Sequence, residues 1–175
     1  TYDASYLQAM LDNTNHPVLQ KAARYGLALT LLDNDEADKA EPIISDLLKD
    51  DPENLFYLDT YTDIALAQKR PQDAVALLSE HSRKQPRNRV LALNLANAMI
   101  KNGQNKEAVR IIKDYLLVNP EHLLSYQLLS EAYGENRQML EMHQAKAEVY
   151  ALIAAYPRAI DELQTAYNFT ADSTL

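Results

Sequence analysis

Three prolines fall at Pro52, Pro86 and Pro120, each 34 residues from the next. Ala40, Ala74 and Ala108 keep the same interval, each twelve residues ahead of its proline. A third series, Ala28, Thr62, Ala96 and Ser130, again steps by 34 and holds only small side chains. Around the third set, Leu95, Met99, Ile112 and Tyr115 supply larger apolar residues at helical spacing. A chain punctuated in this way stacks copies of a single local unit, each burying its apolar face against its neighbours.

Self-similarity at this period is the signature of the tetratricopeptide repeat, a pair of antiparallel helices. The small positions then have a packing reason. Ala96 of the first helix and Ala108 of the second face each other where the pair crosses closely, and a larger side chain would overpack the crossing by about 1–3 kcal/mol. Gly103 falls in the turn between the helices, where a left-handed backbone costs glycine least. Each proline stops a second helix shortly before the next first helix begins. The predicted fold class is all-α, an α-solenoid superhelix of about four to five repeats.

Taking the prolines as repeat ends gives units at 21–54, 55–88 and 89–122. A fourth begins at Leu123 with Tyr126, Leu129, Ser130 and Tyr133 in register. Its second half departs, because Met142 takes the small position and Ala154 the proline position. The pattern returns half a repeat later, with Ala147 and Ala159 in the two small positions. One helix at about 138–154 shared between two overlapping units accounts for this, and a change of superhelix direction is expected there. The domain division is an N-terminal helix and turn over 1–16, the repeats over 17–168 and a frayed tail over 169–175. Within the first part, residues 3–12 read as a short amphipathic helix and NTNHP as a turn into Pro17. Pro42 lies inside the second helix of repeat one, so that helix is expected to start late or to bend, since an interior proline costs about 3 kcal/mol.

Composition removes several function classes. The formal charge of −8 argues against nucleic acid, whose binders cluster Lys and Arg. No cysteine is present, so there is no disulfide framework and no thiolate metal site. No apolar run reaches the roughly 18 residues of a membrane span. The chain opens on Thr1 with no signal-peptide pattern, as a processed protein or an excised piece would.

Catalytic and metal motifs are missing too. His16, His81, His122 and His143 form no HExxH pair and no one-turn ligand pair, so structural or solvent-exposed roles are expected for all four. There is no GxSxG and no glycine-rich phosphate loop. Asp50–Asp51 reads as a helix end, and Asn168-Phe169-Thr170 as a chance sequon. No catalytic residue, metal ligand or cofactor is assigned to this chain.

What remains is surface for a protein or an extended peptide. First helices line the concave face of such a stack, and the positions between their packing residues point into it. These are Tyr25 and Leu29 in repeat one, Phe56, Asp59 and Asp63 in repeat two, Leu93 and Asn97 in repeat three, and Gln127 and Glu131 in repeat four. Asn94 and Asn97 stand one turn apart, and an asparagine amide can pair with both N–H and C=O of a peptide backbone. Hydrogen bonds to the surface or within the repeat are the alternative for this pair. The groove lacks the Lys and Arg set that grips an acidic C-terminus. A second candidate is an apolar edge at Leu116 and Leu117, beside the loop of His122, Leu123 and Leu124.

Four stretches carry a closer resemblance: RYGLALTLL (24–32), FYLDTYTDIAL (56–66), LNLANAMIKNGQNKEAVRII (93–112) and AKAEVYALIAAYPRAIDEL (145–163). Over about residues 20–166, half-repeat shift included, the chain resembles the C-terminal repeat domain of the beta-barrel assembly-enhancing protease family. These are periplasmic zinc metalloproteases of Gram-negative bacteria. The resemblance implies a periplasmic location and docking on outer-membrane barrel assembly components. It also implies presentation of misassembled barrel proteins to a protease domain, with its zinc, that lies outside this chain. A free-standing repeat scaffold or adaptor of another assembly or secretion pathway is the alternative.

Overall fold

The structure is a computed structural model that describes residues 3–171. Ten α-helices and no strands occur among them: α1 (Ala4–Asn13), α2 (Pro17–Asp33), α3 (Ala37–Asp50), α4 (Leu55–Ala67), α5 (Pro71–Lys84), α6 (Arg89–Lys101), α7 (Asn105–Leu116), α8 (Leu123–Glu135), α9 (Met139–Leu152) and α10 (Tyr156–Ala171). The fold is an all-α tetratricopeptide-repeat array. The chain divides after His81 into two compact units.

The 34-residue period is written into the helix boundaries. First helices begin at Leu55, Arg89 and Leu123, and second helices at Ala37, Pro71, Asn105 and Met139. Each start has a local cause. Asn54 and Asn88 cap α4 and α6, their side-chain oxygens accepting the N–H groups two and three residues on at 3.0–3.3 Å. His122 holds the same place before α8 and accepts from the Ser125 N–H. Between paired helices the turn reverses through one left-handed residue, Gly103 at φ 77° in repeat three. Its N–H donates to the Ile100 carbonyl at 3.0 Å, and the Gln104 N–H to Met99 at 2.8 Å, closing the end of α6.

The small series does what the close crossing requires. Ala28, Thr62 and Ala96 in first helices and Ala40, Ala74 and Ala108 in second helices are all completely buried. In the first unit Ala28, Ala40, Ile44, Leu47 and Ile64 form the core, with Tyr25, Tyr57 and Tyr61 against it. The second unit builds its core from Ala96, Ile100, Ala108, Ile112, Leu128 and Leu129 among others. Full burial of each large aliphatic contributes about 1.5–3 kcal/mol.

The half-repeat shift appears as a turn of the wrong kind in the right place. Left-handed residues occur at Asp35, Lys69, Gly103 and Arg137, 34 apart, and then at Ala154, only 17 further on. Ala154 repeats the bonding of the other four, its N–H to Ala151 and the next N–H to Tyr150, at 3.0 and 2.8 Å. Helix α9 is therefore a second helix towards α8 and a first helix towards α10. Ala147 and Ala159, the small positions of the overlapping unit, are buried.

Two expectations need correction. Helix α3 starts at Ala37, in register with Pro71 and Asn105, so Pro42 does not delay it. Pro42 removes the donor owed to the Asp38 carbonyl, and because both residues are exposed that carbonyl can turn to water instead. At the other end, Phe169 and Thr170 continue α10 rather than opening the tail, while residues 172–175 of that expectation lie outside the described residues.

Candidate functional site: the exposed faces of the first helices

In the first unit α2 and α4 place the predicted residues side by side, with unequal access. Tyr25 is half-buried. Its hydroxyl lies 3.1 Å from Thr60 Oγ1, and its ring meets Tyr57 at 5.3 Å, so it anchors the helix pair more than it offers surface. Phe56 projects, 72% exposed, and Leu29 is exposed more modestly. Asp59 and Asp63 follow on the same face one turn apart, both exposed. The Asp63 carboxyl is pushed above its ordinary range, first by the solvent its surroundings exclude and then by the Asp59 charge. A cationic side chain docking between these carboxylates would relieve that repulsion.

In the second unit the face is amide-rich. Asn94 and Asn97 on α6 are half-buried, and Gln127 on α8 is exposed. Leu93 departs from its expected role: it is only 7% exposed and belongs to the core, because its position faces the repeat interior. Glu131 is held by Lys101 at 2.6 Å, an exposed pair of small energetic weight. Gln127 and Ser130 share a cavity of about 240 Å³ with Lys146, Val149 and Tyr150 of α9.

The apolar edge also splits. Leu117 is 76% exposed, with Val118 and Leu124 exposed beside it, whereas Leu116 packs half-buried against the core. Missing from the sequence reading were Tyr156, Ile160, Leu163 and Tyr167 of α10, all exposed. Their i, i+4, i+7, i+11 spacing was the available signal.

Three of the histidines serve structure. His81 meets the Leu77 and Pro52 carbonyls at 3.0 and 2.9 Å. His143 pairs with Glu162 and stacks on Phe169, tying α9 to α10. His122 caps α8 and packs edge-on to Tyr115 at 5.3 Å, and burial, then Arg89, lowers its pKa. Among the described residues no three His, Cys, Asp or Glu side chains stand together as metal ligands, and no helix is long and apolar enough to cross a membrane.

A tetratricopeptide-repeat family model matches residues 65–127. The beta-barrel assembly-enhancing protease of Escherichia coli K12 is 36% identical over 147 residues, 84% of this chain and 30% of that protein. The chain is a repeat-domain relative of these proteases. The Yersinia pestis protease of the same name is 33% identical over the same shares. Among solved structures, a thermophilic tetratricopeptide-repeat protein of Thermus thermophilus aligns with a TM-score of 0.68 at 19% identity, covering 90% of this chain and 88% of that one. A repeat protein of Parabacteroides merdae aligns with a TM-score of 0.69 at 12% identity, covering 94% and 71%. At those identities the likeness is one of fold. Repeats of this kind are non-catalytic scaffolds for binding proteins, and this repeat chain spans about 30% of its protease relatives' length.

Proposed function

We propose that this chain is the partner-recognition module of a periplasmic zinc metalloprotease engaged in outer-membrane β-barrel assembly and quality control. The observation that carries the reading is the 36% identity to a beta-barrel assembly-enhancing protease across 84% of the chain. In this reading zinc and hydrolysis belong to a protease domain elsewhere in the parent protein. The repeats contribute binding through Phe56, Asp59 and Asp63 in the first unit and through Asn94, Asn97, Gln127 and the Leu117 edge in the second. Barrel assembly components and misassembled barrel proteins are the partners. Asparagine amides suit an extended backbone, and exposed Phe56 and Leu117 suit apolar anchors.

Photo-crosslinking residues placed separately at Asn97 and Leu117 of the full-length parent, in its native envelope, test this. Adducts with barrel assembly proteins are expected, and the position that yields them identifies the face. Adducts only with unrelated soluble proteins, or none from either position, would overturn the reading and leave a general repeat scaffold.

A further inference from the structure

Repeat register marks out a face of α10 that is left exposed among the described residues. Ile44, Leu78 and Ile112 stand 34 residues apart on α3, α5 and α7, and each is completely buried. In the second unit Ile112 shares its core with Leu128, Leu129 and Ala132 of α8, the first helix of the following repeat. Counting 51 residues on from Ile112, one and a half repeats across the shift, reaches Leu163, which is 52% exposed. The same step carries Val109 and Leu116, half-buried against that core, to Ile160 and Tyr167, which are 54% and 72% exposed. The other face of α10 is occupied by α9: Ala159 and Ala166 are buried, and Glu162 and Phe169 meet His143.

Two depressions meet on Leu163. One of about 510 Å³ runs along α10 past Ile160, Gln164 and Tyr167. The other, about 430 Å³, has Tyr126, Leu129 and Tyr133 of α8 as its floor. Glu141 and Glu148 of α9 stand at its rim with a single lysine, Lys113. Glu148 lies 17 residues past Glu131, so after the shift α9 presents a binding-face position towards this cleft. The outer face of α10 is aromatic and aliphatic at Ile160, Leu163 and Tyr167, all exposed.

We infer that this face docks an amphipathic α-helix of a partner protein, laid against α9 and α10 as the next first helix would lie. Its apolar residues, at i, i+4 and i+7, cover Leu163, Ile160 and Tyr167. Its basic residues approach Glu141 and Glu148, where two carboxylates outweigh one ammonium. The surface includes none of the residues assigned to binding above, and the inference stands whether or not the parent is an envelope protease.

The test is fluorescence anisotropy of a stapled helical peptide of about 18 residues, with a leucine stripe and lysine flanks, titrated with the 175-residue chain. Saturable binding is expected, weakened about tenfold or more by Leu163→Glu and by Tyr167→Glu. Glu148→Gln should flatten its salt dependence, and a peptide with glutamate flanks should bind about tenfold more weakly. Circular dichroism checks that each variant folds, with Leu163→Ser as the milder substitution if Leu163→Glu does not. No binding to the unaltered chain, or equal binding to the folded Leu163 and Tyr167 variants, overturns the inference. So does a dimer, seen by light scattering, that Leu163→Glu dissolves, since the occupant would then be a second copy.

Discussion

Gly134 and Met142 exchange sizes across the α8–α9 crossing. A Cβ built on Gly134 would lie 3.1 Å from the Met142 sulfur. Leu32, Leu66 and Ile100 occupy the position of Gly134 in the earlier repeats, and Ala40, Ala74 and Ala108 that of Met142. Repeat four reverses the pair, so volume at the crossing is kept to within about one methyl group although both residues leave the pattern.

That exchange predicts strong coupling. Met142→Ala should cost about 1–2 kcal/mol, below the range for a fully buried methionine because Met142 is half-buried. Gly134→Ile alone should also destabilise, by overpacking. The double substitution recreates the Ile100–Ala108 pair of repeat three, and urea unfolding should show it recovering about 1 kcal/mol or more of the summed losses. Additive losses would mean that the two side chains do not share the space.

Substitution at the crossing of repeat three should separate packing from surface. Ala108→Leu, at a completely buried site, is expected to cost about 1–3 kcal/mol. Asn97→Ala, at a half-buried position on the exposed face, is expected to stay within about 0.5 kcal/mol. Thermal melts showing equal effects would contradict the helix-crossing assignment.

The inter-helix turns make a backbone prediction. Nothing lies within 4 Å of a Cβ on Gly103, so Gly103→Ala meets only left-handed strain, about 1 kcal/mol. Conversely Ala154→Gly, at φ 59°, should stabilise by up to about 1 kcal/mol. Chemical denaturation of the two variants should move the midpoint in opposite directions.

His122 should make the second unit sensitive to mild acid. Its cap needs an unprotonated ring nitrogen, and the fold lowers its pKa from the ordinary 6.5. A lowered histidine pKa means that the neutral form stabilises the fold. Its contribution is complete above 6.5 and is lost as pH falls from there through the folded value. His122→Asn installs the residue that caps α4 and α6, so its stability should fall less between pH 7.5 and about pH 5. Parallel pH profiles for the two proteins would remove His122 as the cause.

Asp63 works in the opposite sense. Its raised pKa means that the ionised carboxylate opposes folding, fully so at neutral pH, and that the penalty fades as pH falls towards the ordinary 3.8. Asp63→Asn should therefore raise the melting temperature at pH 7, with an advantage that shrinks on acidification. A constant advantage across that range would assign the gain to something other than charge.

Much of this fold was legible because its determinants are local and repeated. The small positions and the prolines each appear three or four times at one interval, and the return of the pattern at Ala147 and Ala159 gave away the shared helix. The parts missed depend on what lies opposite a residue. Met142 read as a break because its compensation sits at Gly134, on another helix. Leu93 read as surface because one helical position separates a groove from a core. Of the two readings of Pro42, a late start or a bend, the late start failed because the cost of a proline depends on where a freed carbonyl points. For the binding face, sequence could name positions but not access. Tyr25 and Glu131 turned out to be engaged by Thr60 and Lys101, while Phe56 and Leu117 project.

Helix α9, belonging to two units at once, also sets how such a chain can change length over its lineage. In front of α8 the array can gain or lose copies in steps of 34 residues, because every boundary there falls between units of one kind. Behind α10 a copy in the shifted register could be added by the same step, because α10 ends on a second-helix face like that of α7. What cannot come or go alone is α9 itself, since its loss would leave α8 without a second helix and α10 without a first.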